Sequence, residues 1–176
     1  MQLRNIGAIR QYLSDESASH VVHAFVTSRL DYCNALLGGI SKTILARLKR
    51  VQNHAARIVT LSRKHKHITL VLKMLHWLPV NLRIEYKILL LTYKILHGAA
   101  PAYLTDLVNI YTPTRSLRSA EEELLVVPRS RTTHYGDRAF SILAPKLWNN
   151  LPHNIKEASS VPTFKKRLKT YLFQKF

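Results

Sequence analysis

The sequence predicts a mainly α-helical protein, an irregular bundle of about six or seven helices with at most one short β pair near residues 124–135. Three observations favour this class. Apolar residues recur along most of the chain with the period of an amphipathic helix. Serine, proline and glycine stand where such segments begin or end. Apolar residues make up 47% of the 176 residues, an ordinary fraction for a chain that buries a core.

Two helices are predicted in the first third of the chain. The first begins near Asp15 or Ser17 and ends at Gly38–Gly39, since glycine tolerates a left-handed cap. Ser41 is then placed to cap a second helix over about residues 42–62. Their apolar stripes consist of Val22, Phe25, Val26, Leu30 and Cys33 in the first, and of Leu45, Leu48, Val51, Ala55, Ile58 and Val59 in the second. The outer face of the second is basic, with Arg47, Lys49, Arg50, His54 and Arg57.

Helices continue after a basic loop at residues 63–67. The strongest helical pattern covers residues 81–97, where apolar residues would lie on nearly all sides of the helix. Such a helix is usually central in a bundle, and Gly98 is its expected C-cap. Trp77 and Trp148 have apolar neighbours on both sides and are expected to anchor the core. The remaining predicted elements are helices from Thr69 to Trp77, from Pro101 to about Asn109, at 137–149 and at 162–173, and a short strand at 124–128.

Near residues 110–120 the sequence changes from helical periodicity to a turn-rich, irregular pattern. This divides the chain into a helical, basic part, 1–110, and a turn-rich basic segment with the C-terminal helices, 111–176. Both parts are expected to form one compact domain. No signal peptide is visible, so we expect a nuclear or cytoplasmic protein that is not secreted. The most apolar run, Ile88 to Leu96, contains Lys94 and is too short for a membrane span.

Charge is the most unusual property of the composition. Lysine and arginine number 27 against 10 acids, a net charge of +17. Such a charge costs stability through self-repulsion unless a polyanion screens it, and nucleic acid is the usual polyanion, with an anionic membrane surface second. We therefore expect a nucleic-acid partner, no membrane and no small-molecule substrate. The single cysteine, Cys33, excludes an intramolecular disulfide and a multi-cysteine zinc site.

Catalytic, metal and cofactor sites are not expected. Polymerases and nucleases need clustered carboxylates for divalent ions, whereas the acids here are scattered apart from Glu121–Glu122–Glu123. His20 and His23 are three residues apart on a predicted helix, a spacing that can chelate a metal ion. A zinc site, however, needs four ligands. We therefore interpret these histidines as surface residues of a basic patch. Cys33 lies on a predicted apolar stripe and is expected to be a small core residue rather than a nucleophile.

Basic side chains gather in three clusters, and arginine suits bidentate phosphate contact. Tyr111, His134 and Tyr135 lie among the second cluster and can stack on unpaired bases. A charge run that merely solvates a surface is the alternative for any one cluster. The predicted nucleic-acid-binding residues are Lys49, Arg50, Arg57, Arg63, Lys64 and Lys66 in the first cluster, Arg115, Arg118, Arg129, Arg131 and Arg138 in the second, and Lys165, Lys166, Arg167 and Lys169 in the third.

Eight phrases, in order and nearly across the whole chain, carry a family resemblance. They are SRLDYCNALL (28–37), KRVQNHAARIV (49–59), LHWLPV (75–80), RIEYKILLLTYKILHG (83–98), APAYL (100–104), LLVVPRSR (124–131), RAFSILAPKLWNNLP (138–152) and PTFKKRLKTYLF (162–173). Together they resemble the C-terminal region of LINE-type, non-LTR retrotransposon reverse transcriptases of the jockey-like group. The resemblance implies a 5′-truncated copy and a role beside the polymerase in target-primed reverse transcription. The paired catalytic aspartates of that polymerase do not occur here.

Two functions follow from these patterns. The first is a non-catalytic domain that binds RNA or DNA and assists target-primed reverse transcription. The second is a structural remnant, or an interaction module, whose apolar faces pack on the missing polymerase. A third function, that of an enzyme, is not expected, because the acidic residues are scattered along the sequence.

Overall fold

The computed structural model describes residues 2–113, 123–132 and 135–176. Over these residues the protein is mainly α-helical, which confirms the predicted fold class. The α-helices are α1 (Gln2–Ile9), α2 (Asp15–Val22), α3 (Ser28–Asp31), α4 (Lys42–Thr60), α5 (Ile68–Met74), α6 (Val80–Leu96), α7 (Ala102–Thr105), α8 (Phe140–Asn149), α9 (His153–Lys156) and α10 (Val161–Gln174). A π-helical turn, His23–Thr27, joins α2 to α3, and 3-10 turns lie at Arg10–Tyr12, Asn34–Leu37 and Gly136–Arg138.

The chain folds into two compact units. Unit 1 comprises Met1–Asn34, Ile40–Arg83 and Phe176, and unit 2 comprises Ala35–Gly39 and Ile84–Lys175. The sequence boundary expected near 110–120 falls largely on residues outside the described ones and stays a prediction.

Unit 1 is built on α4, which α1, α2 and α5 contact. Its core consists of aliphatic side chains around Trp77, which is buried as predicted. The buried members are Ile6, Val22, Val26, Ala55, Ala56, Ile58, Val59, Val71, Leu72 and Trp77.

A buried arginine closes the C-terminal end of α4. The Arg10 guanidinium donates from Nε to the carbonyl oxygen of Ile58 at 3.0 Å and from Nη2 to that of Val59 at 2.9 Å. It also forms an ion pair with Asp15. The last carbonyl groups of a helix have no partner within it and carry partial negative charge, so a buried cation stabilises this end. The predicted elements did not include α1 or this cap.

The apolar stripe of α4 differs at one position from the prediction. Val51 was expected in the core but is 38% exposed, whereas Gln52 is only 2% exposed. The Gln52 amide donates to the carbonyl oxygen of Leu78 at 2.7 Å and accepts from the Val80 N–H at 3.0 Å. A buried amide is tolerated where its hydrogen bonds are made, and this pair ties α4 to the start of α6.

The first predicted helix starts where expected but ends early. Ser14 caps α2 by accepting from the Ser17 N–H at 3.1 Å. The α-helix ends at Asp31, and a separate 3-10 turn, Asn34–Leu37, precedes Gly38–Gly39, so the predicted continuous helix is interrupted at residues 32–33. Cys33 is consequently not a core residue: it is exposed and has a left-handed φ of 48°.

Three stacked aromatic rings form the centre of unit 2. The ring centroids of Tyr93 and Phe164 are 4.1 Å apart, and those of Phe164 and Trp148 are 6.1 Å apart. The Tyr93 hydroxyl donates to the carbonyl oxygen of Ala158 at 2.5 Å, and the Trp148 indole donates to that of Glu123 at 2.9 Å. These polar tips are satisfied inside the unit, as buried Tyr and Trp require. Both tryptophans therefore anchor cores, as predicted.

The strand predicted at 124–128 does not form. Among the described residues it is reduced to one antiparallel bridge, between Ile110 and Leu125. The Asn149 side chain makes two hydrogen bonds to the backbone of Leu125. Its amide oxygen accepts from the Leu125 N–H, and its amide nitrogen donates to the Leu125 carbonyl oxygen, both at 2.9 Å. A side chain thus fills the positions that a neighbouring strand would use.

The other helix ends are close to their predictions. Gly98 follows α6 with φ +64°, and the neighbouring N–H of Ala99 bonds the Lys94 carbonyl at 2.8 Å, a left-handed helix end. Ser41 caps α4 as predicted. Thr69 does not cap α5, which starts at Ile68, and the helix after Pro101 is a single turn. None of the helices within the described residues is long and apolar enough to cross a membrane.

Replacing Gln52 by leucine is expected to destabilise the protein by about 1–3 kcal/mol. The buried Val80 N–H loses its acceptor, while the Leu78 carbonyl keeps the 2.8 Å bond that it accepts from Arg83 Nε. The free energy of unfolding in urea measures the loss. His54→Leu, an equivalent change at an exposed position of α4, is the control, and equal stabilities for the two variants would contradict this role of Gln52.

Candidate nucleic-acid interface

The first basic cluster lies in unit 1, on α4 and the loop that follows it. Arg50 on α4 is exposed, whereas Lys49 and Arg57 are half-buried. The loop residues Arg63, Lys64 and Lys66 are all exposed. Leu61 ends α4 in the left-handed region with φ 50°, which turns the chain into the loop.

Arg57 organises this loop. Its Nη2 donates to the carbonyl oxygens of Lys64 and Lys66, at 3.3 and 3.4 Å. The structure thereby brings the helix face and the loop together, as the proximity in sequence predicted. Because its guanidinium faces backbone oxygens, Arg57 acts as a positioning residue, and the loop side chains of Arg63, Lys64 and Lys66 provide the outward charge.

The second cluster lies in unit 2 and is only partly described. Arg115, Arg118 and His134 lie outside the described residues. Arg129 and Arg131 are exposed. Arg138 is half-buried and donates from Nε to the Gly38 carbonyl oxygen at 3.3 Å. Arg138 therefore holds residues 35–39 in unit 2 rather than facing a ligand.

Exposed tyrosines accompany the second cluster, as predicted. Tyr135 is 81% exposed and precedes the 3-10 turn Gly136–Arg138, and Tyr111 is 45% exposed. Two N–H groups of this turn bond Thr132: the Gly136 N–H donates to the Thr132 hydroxyl at 2.9 Å and the Asp137 N–H to the Thr132 carbonyl at 3.2 Å. Tyr135 is thus an accessible aromatic ring on an ordered turn.

The third cluster is on α10 and also belongs to unit 2. Ser160 caps this helix, accepting from the Thr163 N–H at 3.3 Å, and Phe164, Leu168 and Leu172 form its buried face. This fixes the rotation of the helix. The basic residues that it presents, all exposed, are Lys165, Lys166, Arg167 and Lys169.

The candidate cations share one property. Among the described residues, the ion pairs are Arg10–Asp15, Arg83–Asp31, Lys146–Asp137, His153–Glu157 and Lys175–Glu85. None of the candidate side chains in the described ranges pairs with a described acid. Their positive charge is therefore not neutralised by these carboxylates.

The histidines do not assemble a metal site in the part of the chain that the structure describes, where no group of three or more His, Cys, Asp or Glu side chains can hold an ion. The ring of His23 packs edge-on against Trp77, with 5.3 Å between centroids. Burial lowers the pKa of His23 below its ordinary value, and the Arg83 guanidinium lowers it further. His23 thus favours the neutral state and belongs to the packing of unit 1.

The structure adds a feature that the sequence analysis missed. A groove between α9 and α10 of unit 2 is lined by polar side chains as well as by two of the predicted cations. The lining residues that were not predicted are Pro152, Asn154, Ile155, Glu157, Thr163, Thr170, Tyr171 and Gln174. Six positions of α10 line this groove, but the partner helix α9 was not predicted, so the groove was not foreseen.

Comparison with protein-family models, with curated proteins and with solved structures finds no match to this chain.

Proposed function

We propose that this chain is a non-catalytic nucleic-acid-binding domain that belongs to the C-terminal region of a LINE-type, jockey-like retrotransposon reverse transcriptase and assists target-primed reverse transcription. The observation that carries the binding function is that each of the three clusters contributes exposed cations without described acidic partners: Arg50, Arg63, Lys64 and Lys66 in the first, Arg129 and Arg131 in the second, and Lys165, Lys166, Arg167 and Lys169 in the third. Phosphates are the natural counterpart of such a surface, because binding them releases the counterions condensed on the nucleic acid.

The retrotransposon assignment rests on the ordered phrases of the sequence. The phrases fall on elements of both units: KRVQNHAARIV lies within α4, RIEYKILLLTYKILHG covers most of α6, and PTFKKRLKTYLF lies within α10. In that setting the partner is the element RNA or the target DNA, and the polymerase module of the parent protein lies nearby. The expected compartment is the nucleus or the cytoplasm.

Salt dependence tests the binding function. The purified chain is expected to bind labelled single-stranded RNA and matched duplex DNA with an affinity that falls steeply as salt rises. Removing the loop charges by Arg63→Gln, Lys64→Gln and Lys66→Gln together should lower the log–log salt slope by about 2–3, since each phosphate contact contributes about 0.7–0.9.

A control variant removes the same charge from exposed positions outside the three clusters, by Arg4→Gln, Lys42→Gln and Lys87→Gln. Fluorescence anisotropy across a salt series measures both. Binding by the folded wild type that is absent or independent of salt would overturn the proposal. Equal salt slopes for the loop variant and the control variant would show that the loop is not part of the interface.

Polymerase chemistry is excluded from the proposal, because the scattered carboxylates offer no pair to hold two divalent ions. Primer extension on an RNA template with magnesium is therefore expected to be blank, with an active reverse transcriptase as the positive control. Extension by the purified chain above the level of a mock preparation would contradict this.

A second candidate function is docking onto the polymerase module of the parent protein. The observation that favours it is an apolar pocket of about 290 Å³ in unit 1, beside the side chains of Phe25, 50% exposed, and Val51. Its lining residues are Gln2, Leu3, Phe25, Val26, Arg29, Leu30 and Val51. Exposed apolar surface of this kind commonly marks a protein contact.

Without its partner, this surface is expected to cause self-association at high protein concentration. Phe25→Ser should reduce it, because the substitution removes the largest exposed apolar side chain of the pocket. Leu70→Ser, a comparable change at a 57% exposed leucine outside the pocket, should leave it unchanged. Sedimentation velocity distinguishes the two, and a wild type that stays monomeric at every concentration would count against docking.

A further inference from the structure

The groove between α9 and α10 has the size and lining of a ligand site. It is an open groove of about 1100 Å³ in unit 2, and its volume is comparable with that of the larger small-molecule pockets, which reach about 1000 Å³. Its lining mixes polar and apolar surface, as a nucleotide with a charged phosphate and a flat base requires. The side chains that the argument uses are Lys166, Arg167, Tyr171, Glu157, Thr163 and Thr170.

Helix geometry separates the cations of the third cluster into two groups. Residues 163, 166, 167, 170, 171 and 174 line the groove and recur with helical spacing, so they share one side of α10. Lys165 and Lys169 do not line it. Two adjacent, exposed lysines, Lys165 and Lys166, therefore differ in whether they reach the groove.

Arg167 and Glu157 define the electrostatics of the groove. Arg167 Nη1 donates to the Asn154 carbonyl oxygen at 2.6 Å, which joins α10 to α9. Glu157 is the acid among the lining residues, and its carboxylate lies 3.0 Å from Nε2 of His153. Lys166 and Arg167 together outweigh this single acid, so the groove attracts an anion.

We propose that this groove binds an unpaired nucleotide of a single-stranded nucleic acid, an inference that rests on the proposed binding function and locates part of it. Lys166 contacts the phosphate, the half-buried ring of Tyr171 stacks on the base, and the hydroxyls of Thr163 and Thr170 accept hydrogen bonds from the base or sugar. A duplex cannot place a stacked, paired base in such a groove, so single strands are preferred.

The test compares adjacent lysines. Lys166→Ala should weaken binding of a labelled oligouridylate several-fold and lower the salt slope by about 0.7, the value for one phosphate contact on a single strand. Lys165→Ala removes the same charge from the next residue of the third cluster and should weaken binding less than Lys166→Ala, because Lys165 does not line the groove and an exposed charge away from the contact is screened by salt. Both side chains are exposed, so both variants are expected to fold.

A second variant tests the stacking. Tyr171→Leu should weaken binding of the oligouridylate about tenfold, the loss expected for one stacked base, and leave duplex binding unchanged. Circular dichroism confirms that each variant is folded. An oligothymidylate of equal length distinguishes the sugars: equal affinity supports contacts to base and phosphate, and preference for the RNA supports a further contact to the 2′-hydroxyl.

Failure of the groove and failure of the proposed function are distinguishable. Equal losses in Lys165→Ala and Lys166→Ala, with no loss in Tyr171→Leu, would overturn the groove while salt-steep binding by the wild type upholds the general function. No binding of single strand or duplex by the folded wild type would overturn both.

Discussion

The shortage of acids is the constraint on which this structure depends. With 27 lysines and arginines and only 10 acids, most of these cations cannot be neutralised by carboxylates. Several arginines donate to backbone carbonyl oxygens: Arg10 to Ile58 and Val59, Arg57 to Lys64 and Lys66, Arg83 to Leu78, Arg138 to Gly38 and Arg167 to Asn154, and of these only Arg10 and Arg83 also pair with a described acid. The rigid fork of donors on a guanidinium suits such contacts, and a lysine ammonium at the same place would provide them less well.

These contacts divide the basic residues into two kinds. Arg57, Arg138 and Arg167 were selected from the sequence as ligand contacts, yet each joins separate segments of its own unit. The lysines beside them point outward, as Lys64 and Lys165 do. At these positions the arginines join segments of the chain, while Arg63, Arg129 and Arg131 are exposed like the lysines. Charge alone cannot separate the two roles, because both kinds of residue occupy the same runs of sequence.

The sequence predicted the elements that depend on local signals. The caps at Ser41 and Gly98, the long helix α6 and the burial of Trp148 follow from residues within a few positions of each feature. What it missed depends on distant partners. Gln52 is buried because Leu78 and Val80 meet its amide, and the strand at 124–128 is replaced because Asn149 bonds Leu125. Periodicity cannot report either partner, since hydropathy assigns a glutamine to the surface and a valine-rich run to a sheet.

The same limit applies to the candidate site. Basic composition predicts a polyanion, but a groove needs two walls, and the wall provided by α9 is one turn long and carried no recognisable helix signal. Outward lysines without described acidic partners repel one another, which costs stability in the unliganded protein. A bound polyanion removes that repulsion and also stabilises the fold by mass action. The scarcity of acids thus gives the fold and the proposed function a common physical basis, because the cations that are not paired with acids are the ones that the proposal assigns to a phosphate backbone.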